Sequence, residues 1–488
     1  MIQVVKPVPR TCFMNKQPND RRQRALEALV ARYEQSTTNN QGIFLSENEY
    51  EELLFHYYNG GDFDRTLEVA DHGIAQYSFT PEFYKWKALI HKINLEEEEA
   101  LAALEKLATY APNDEEVMIL RLEVLTHFDQ QEPARQLLDQ LFTIVEDRDK
   151  QSTLAFFEGL LYLQAGEIPE AFDALRESVR LDPYQEPAYD ELLNAEEFVL
   201  LREGVGKLLR WVVNRDPFND LAWYYLGLWY DDGGDDLSAL EAFGNARSLN
   251  TDRGSYDLEY ADKLFDLERY ELALKAYAAY QQSEEAEDNY ETAIRVGRCH
   301  QLLGNLERAK IYFFRAAEFA PDMYDTYQHL GECFVAEEKW GMAAYNYGRA
   351  VEQPGHTSDC WLGLALCSSA TNQPVEAEAA FVRALEMEPR FSDAVVSYAL
   401  FLVDQGREMD AMLQINEALG AYEDASLLYG AAAIHLLINR RRTALEYLND
   451  ALASYYDDRF ILLDWYPHLV EDTDVQALVS LHAPEPGQ

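Results

Sequence analysis

Apolar residues recur at spacings of three and four along most of the chain, in pairs of short segments separated by a turn. The stretch from Trp361 to Pro389 shows the pattern most plainly. Bulky and small residues fall on one stripe of each segment, namely Trp361, Leu364 and Ala365 on the first and Ala377, Phe381 and Ala384 on the second. Such spacing predicts two short antiparallel helices that pack along these stripes, with the proline ending the second helix.

The same pattern repeats along the sequence with a period of about 34 residues. The repeats are placed at Glu47, Pro81, Glu115, Ser152, Glu186, Asp220, Gly254, Tyr290, Tyr324, Ser358, Ser392 and Ala425. Eight of the eleven steps equal this period, whereas two are longer and one is shorter. The two long steps fall on residues 145–150 and 281–289, which are therefore predicted to be longer loops.

Three columns of small residues define the packing of each pair. Counted from the first residue of each repeat, position 20 is alanine in ten of twelve repeats, and position 8 is glycine or alanine in nine. Position 27 is small in eight. Small residues at these points let two helix backbones approach closely, and a large residue would overpack the contact at a cost of about 1–3 kcal/mol.

The repeat, with its period and its small residues at positions 8, 20 and 27, resembles the tetratricopeptide repeat. The family pattern Trp-x2-Leu-Gly-x2-Tyr followed by Ala-x3-Phe-x2-Ala is matched by Trp223, Leu226, Gly227, Tyr230, Ala239, Phe243 and Ala246. The resemblance covers about twelve repeats over residues 47–458. It implies an all-α fold, a right-handed superhelical solenoid of antiparallel helix pairs. The repeat at Glu186 departs most from the pattern, because Leu193, Val205 and Val212 replace small residues.

The two ends of the chain differ from the array between them. Residues 1–19 contain three prolines and no helical period, and they are predicted to form a basic flexible arm. Residues 20–46 are predicted to hold a helix that caps the first repeat, since terminal units of an array need a covered edge. Residues 459–488 are predicted to form a C-terminal helical cap and a tail.

Charge narrows the classes of partner. The 488 residues carry a formal net charge of −46, from 41 basic and 87 acidic side chains. This balance opposes binding to nucleic acid or an anionic membrane and favours a basic protein or peptide. The first ten residues lack the apolar core of a secretory signal, and no apolar run reaches the length of a membrane span, so a cytoplasmic location is expected.

Residues that could carry catalysis or bind a metal do not form a known pattern. Cys299, Cys333 and Cys367 recur at the repeat period, which is typical of one repeated core position. The histidines share no spacing, and Gly204-Val-Gly-Lys207 lacks the remainder of a phosphate loop. We therefore expect no cofactor, no metal and no catalytic residues, and a non-enzymatic protein.

The positions most informative about function are those of the first helix outside the core stripe. Positions 2, 5, 9, 12 and 13 share one face, which the resemblance identifies as the concave groove where partner segments bind. Between Ser152 and about Asn289 this face carries acidic and polar residues with apolar neighbours and no Lys or Arg. They are Asp190, Asn194, Glu197, Tyr224, Asp231, Asp232, Asp262, Asp266, Phe156, Leu160 and Leu228.

These residues predict a protein-interaction scaffold whose acidic groove binds a basic, partly apolar peptide. One alternative is that the acids only follow the overall composition. A second is that the basic N-terminal arm docks in the groove as a self-inhibitory segment or binds an anion. A third, of another class, is an enzyme accessory subunit or an enzyme without a recognisable motif. The partner, the process served and the oligomeric state stay open.

Overall fold

The computed structural model describes residues 20–39, 42–194, 201–465 and 471–483. The predicted arm, residues 1–19, lies outside the described residues. Every regular element in the described ranges is helical. The chain divides into two compact units, Met1–Thr251 and Asp252–Gln488.

The described part of the first unit contains thirteen α-helices, and consecutive helices pack against each other from α1 to α10 and from α11 to α13. Their bounds are α1 Asp20–Thr38, α2 Glu47–Asn59, α3 Phe63–Gln76, α4 Pro81–Ile93, α5 Glu97–Tyr110, α6 Glu115–His127, α7 Gln131–Ile144, α8 Arg148–Ala165, α9 Ile168–Leu181, α10 Glu186–Asn194, α11 Arg202–Arg215, α12 Asp220–Asp232 and α13 Asp236–Leu249.

The second unit has the same antiparallel pairing, with a short 3-10 helix at Tyr456–Arg459 near its end. Its described α-helices are α14 Gly254–Asp266, α15 Tyr270–Tyr280, α16 Tyr290–Leu302, α17 Leu306–Phe319, α18 Tyr324–Ala336, α19 Trp340–Val351, α20 Ser358–Ala370, α21 Pro374–Met387, α22 Ser392–Asp404, α23 Glu408–Ala421, α24 Ala425–Leu437, α25 Arg441–Ser454, α26 Phe460–Trp465 and α27 Thr473–His482.

Eleven of the twelve predicted repeat starts are the first residues of helices. The exception is Ser152, because α8 begins at Arg148, where the Asp147 side chain accepts a hydrogen bond from the Lys150 backbone N–H. The prediction of a long loop over residues 145–150 was wrong for this reason, since the extra residues lengthen α8. Residues 281–289 do form the predicted connection, between Tyr280 at the end of α15 and Tyr290 at the start of α16.

The small columns lie where the two helices of a pair touch. All ten alanines of position 20 are at most 1% exposed. At position 8, a Cβ added to Gly227 would lie 2.5 Å from the ring of Phe243, and one added to Gly331 would lie 2.8 Å from the ring of Tyr347. The aromatic side chain of the second helix therefore occupies the space that a larger residue of the first helix would need.

The turn within each pair depends on one left-handed residue at position 15. In eleven of the twelve repeats this residue has φ between 55° and 74°, and in the Glu186 repeat it lies outside the described residues. Five of the eleven are glycine, and the other six are Leu95, Asp129, Glu268, Glu338, Asn372 and Asn439. Side chains with a Cβ adopt this conformation at a cost of about 1–2 kcal/mol, so the geometry of the pair overrides the local preference.

The second helix of the Glu186 repeat carries valines where most repeats carry small residues. Its first helix, α10, is described from Glu186 to Asn194, and residues 195–200 lie outside the described residues. Val205 and Val212 are buried in place of small residues. A Cβ on Gly206 would lie 2.4 Å from the ring of Trp229, so α11 and α12 approach closely at this glycine instead.

Both ends of the array are covered by helices outside the repeats. Leu29 and Tyr33 of α1 are buried in one cluster with Tyr50 and Leu53 of α2. At the other end, Val475 of α27 joins the cluster that surrounds Leu448 of α25. These contacts remove apolar surface from the open edges of the terminal helix pairs.

Candidate functional site

The apolar residues of the predicted groove all belong to the first unit. Phe156 and Leu160 of α8 are partly buried and pack against the cluster formed by α6, α7 and α8. Phe156 also contacts the next cluster, around α9 to α12, where Tyr224 and Leu228 of α12 are partly buried. These four partly buried side chains, two on α8 and two on α12, are called here the apolar floor.

Asp190 of α10 is tied to the core beneath this floor. Its carboxylate accepts a hydrogen bond from the hydroxyl of Tyr225, whose ring stacks on that of Tyr189 at a centroid distance of 4.9 Å. Burial and this carboxylate raise the pKa of Tyr225, so the phenol stays protonated and continues to donate. Asp190 therefore positions α12 against α10 as well as adding negative charge.

Asp231 and Asp232 end α12, and Asp232 is strongly exposed. Its side chain is 78% exposed, and its Oδ2 lies 2.9 Å from Nε of Arg202. Arg202 also donates to the carbonyl of Trp229, at 2.6 Å, and lies over the ring of that residue. An arginine from the preceding helix, α11, therefore pairs with Asp232 at this end of α12.

Two other predicted groove residues stand at the limit of the described chain. Asn194 is the last residue of α10, and its side chain is not described. Glu197 lies outside the described residues. Their assignment to the groove stays a prediction.

In the second unit, the two predicted acids form an ion network with cations. Nε and Nη1 of Arg295 lie 3.6 Å from Oδ1 of Asp262 and Oδ1 of Asp266, and Nζ of Lys263 lies 2.9 Å from Asp266. The hydroxyl of Tyr277 donates to Asp262. Burial raises the pKa of the Asp262 carboxyl, and the hydrogen bond from Tyr277 and the charge of Arg295 only partly offset it.

These contacts show that basic side chains reach the face that the sequence predicts to be free of them. Positions 2, 5, 9, 12 and 13 contain none between Ser152 and Asn289, yet Arg202, Lys263 and Arg295 reach three of the predicted acids from other positions. The contact between Arg295 and Asp262 could have been predicted from the sequence. Arg295 follows Asp262 by nearly one repeat period and so lies on the next first helix. Arg202, on a second helix, had no such signal.

Other groups with reactive chemistry are used in packing. Cys299, Cys333 and Cys367 are fully buried, and burial raises their pKa to about 12, 12 and 11. Within the described ranges, no three His, Cys, Asp or Glu side chains are arranged to hold a metal ion. A search of the same residues finds no helix with the length and apolarity needed to cross a membrane.

The comparisons with known proteins bear on the fold. No family model matches the chain, and no curated protein matches it. Among solved structures, the chain is similar to a tetratricopeptide repeat protein from Parabacteroides merdae, with 16% identity over 53% of this chain and 97% of that chain and a TM-score of 0.41.

Two further solved structures extend this likeness. Yeast Tom70 matches 86% of this chain and 97% of its own at 14% identity, with a TM-score of 0.35. YrrB, described as a TPR protein with an unusual peptide-binding site, matches 40% of this chain and 98% of its own at 13% identity, also with a TM-score of 0.35. At these values the likeness carries no argument about function.

The assignment of the repeat type rests on the chain's own packing. The regular repeat period, the buried alanine column and the aromatic rings seated on position 8 occur in both units. The predicted all-α array of tetratricopeptide-type helix pairs is thereby confirmed.

Proposed function

We propose that this chain is a non-catalytic interaction scaffold that binds a basic, partly apolar segment of another protein. The face of the first unit that carries Asp190, Asp231 and Asp232 beside Tyr224 and Leu228 is the binding surface, called here the acidic face. The observation that supports the proposal most is the exposed carboxylate of Asp232 at the end of α12, on the same helix as the partly buried Tyr224 and Leu228.

The ion pair between Asp232 and Arg202 does not prevent such binding. Exposed ion pairs contribute only about 0–1 kcal/mol, so a basic side chain of a partner can share or replace Arg202 at low cost. The Arg202 guanidinium would keep its contacts with the Trp229 carbonyl and ring in either case. Apolar side chains of the same segment would bury the exposed parts of Tyr224 and Leu228.

Asp262 and Asp266 contribute less in this proposal. Arg295 and Lys263 already balance their charge, and Asp262 is also engaged by the Tyr277 hydroxyl. A basic segment would have to compete with several internal contacts at once. We therefore assign these two acids a structural role and place recognition on the acidic face of the first unit.

The test uses the full chain and two synthetic peptides, one built from Lys, Arg and Leu, the other with Glu in place of every base. We expect the basic peptide to bind and the acidic peptide not to bind. The double variant Asp231→Lys/Asp232→Lys should lose at least about tenfold in affinity, or roughly 1.4 kcal/mol.

The matched control is Asp173→Lys/Glu241→Lys, which makes the same change in net charge on second helices of the same unit. Its affinity for the basic peptide should stay near that of the wild type. An equal loss in both variants would show that overall charge, and not the acidic face, governs binding, and it would contradict the proposal.

The N-terminal arm remains an alternative occupant of the acidic face. Residues 1–19 combine Lys6, Arg10 and Lys16 with apolar residues such as Val8 and Phe13, which is the chemistry proposed for the partner. If the arm competes, a chain without residues 1–19 should bind the basic peptide more tightly, and unchanged affinity would reject competition. The cytoplasmic location and the exclusion of nucleic acid stay predictions from the sequence.

A further inference from the structure

A row of apolar side chains lies exposed on the second helices of the second unit. Position 22 of three repeats is occupied by Ile311, Tyr345 and Leu413, which are 66%, 64% and 56% exposed. Phe314 and Val382 extend the row at position 25, and Met409 extends it at the start of α23. These six residues of α17, α19, α21 and α23 are called here the outer apolar face.

The first unit shows that the fold does not require apolar residues at this position. There, position 22 is polar or small in every repeat, with Glu68, Ala102, Gln136, Asp173, Lys207 and Glu241. The helix pair therefore forms with either a polar or an apolar residue at position 22. Single exposed apolar residues are ordinary on a protein surface, but a row that recurs on four successive second helices marks an interaction site.

A glycine at the centre of this face supports the same conclusion. Gly348 occupies position 25 in the interior of α19, and a Cβ added to it would meet nothing within 4 Å. The packing of the chain itself therefore gives no reason for a residue that weakens a helix. With the exposed Ala379 at position 22 of the next repeat, Gly348 places two small residues among the larger side chains of the face. Small residues permit the close approach of another surface.

The charges along the face favour a second copy of the same face as the occupant. Helix α17 carries two acids and three bases, of which Lys310 is buried in ion pairs with Glu307 and Glu337, which leaves Arg308 and Arg315 at the surface. Helix α19 carries one base and no acid. Helix α21 carries three acids and one base, and α23 carries three acids and no base. A twofold axis between α19 and α21 would bring the base-rich α17 of one copy to the acid-rich α23 of the other, so the gradient is complementary to itself.

The exposed area is also sufficient for a dimer. The six side chains expose on the order of 800 Å², about what each partner of an interface of standard size buries. At the α17 end, Arg308 and Arg315 line a cleft with Ile311 and Tyr312. Arg315 is paired with Asp288, so Arg308 is the cation that the cleft offers to acidic side chains of α23. We propose that the outer apolar face is a twofold-symmetric dimer interface between two copies of this chain.

The first test is the mass of the full chain in solution, measured by light scattering and sedimentation. We expect a concentration-dependent dimer of the 56.1 kDa chain. Ile311→Glu/Leu413→Glu should make it monomeric without changing the helical circular dichroism signal. The matched control Leu237→Glu removes an equally exposed apolar side chain from a second helix of the first unit and should leave the dimer intact.

The variant Gly348→Gln tests whether this glycine is needed for the dimer contact or for folding of the single chain. A side chain at this position should raise the melting temperature of the monomer, because it strengthens α19, while weakening the dimer at least about tenfold.

A charge exchange tests the twofold arrangement. Arg308→Glu alone should weaken the dimer, and combining it with Glu417→Arg should restore it.

A chain that is monomeric at all concentrations, or a dimer that survives Ile311→Glu/Leu413→Glu, would overturn the proposal. Failure of Glu417→Arg to restore dimerisation would overturn the pairing of α17 with α23. Binding of the basic peptide by the first unit should be the same in these variants, so the dimer proposal can fail without affecting the proposed function.

Discussion

The two units use one helix pair for different surfaces. Both bury the same alanine column and seat an aromatic ring on the same glycine position, as Gly227 and Gly331 show. In the first unit, Asp232 remains exposed at the end of a first helix, and position 22 of the second helices is polar or small. In the second unit, Asp262 and Asp266 are paired with Arg295 and Lys263, and position 22 is apolar and exposed in three repeats, at Ile311, Tyr345 and Leu413. Packing dictates the shared columns, and function is therefore encoded in the positions that differ.

The largest expected effect comes from replacing the buried alanine of position 20, which both units share. Ala239→Leu in the first unit and Ala343→Leu in the second should each destabilise the protein by about 3 kcal/mol, because each overpacks a fully buried contact. Glu241→Leu, at an exposed position of the same helix as Ala239, should change stability by less than about 0.5 kcal/mol. Denaturant unfolding measures all three, and an Ala343→Leu protein as stable as the wild type would contradict a common scaffold.

The second-largest expected effect is a difference in stability cost between Asp262 of the second unit and Asp232 of the first. Asp262→Ala should cost about 1–3 kcal/mol, because it leaves the buried hydroxyl of Tyr277 without its acceptor and removes a partner of Arg295. Asp232→Ala removes an exposed pair and should cost at most about 1 kcal/mol. Asp262→Asn keeps an acceptor for Tyr277 and should fall between them. Equal costs for Asp232→Ala and Asp262→Ala in urea unfolding would remove the distinction drawn between the units.

The smallest effect concerns the left-handed turn at position 15, which both units share. Leu95→Gly in the first unit and Glu268→Gly in the second should each stabilise the protein by about 0.5–1 kcal/mol, because the relief of a strained φ exceeds the entropy that glycine loses on folding. Asn372→Gly should change stability less, since asparagine tolerates this conformation. Melting curves of the three variants provide the measurement, and a loss of stability in Leu95→Gly would show that its side chain has a packing role.

The fold could be predicted from the sequence because its contacts repeat. An alanine that returns once in nearly every repeat reveals a helix contact without knowledge of any single contact, and the helix starts followed from it. The left-handed residue at position 15 was not predicted, because it is glycine in repeats such as those of Gly61 and Gly304 but Leu95 or Glu268 in others, where the pair geometry overrides local preference. The lengthened α8 was missed because extra residues between repeats can extend either a loop or a helix.

The candidate site was less predictable, because its contacts do not repeat. Helical spacing placed Asp231, Asp232, Tyr224 and Leu228 on one helix, but it could not show that Arg202 of the preceding helix reaches Asp232. The outer apolar face was present in the sequence as a difference between repeats. It becomes apparent when position 22 is compared between the units and the exposure of each side chain is known.

The affinity of the full chain for the basic peptide, measured over a range of salt concentrations, tests the central claim most directly. Recognition by the exposed carboxylates of the acidic face predicts that affinity falls steadily as salt rises from about 0.05 to 0.5 M, since salt screens charges that remain in contact with solvent. Affinity that is constant or that increases over this range would contradict an acidic recognition surface on the first unit.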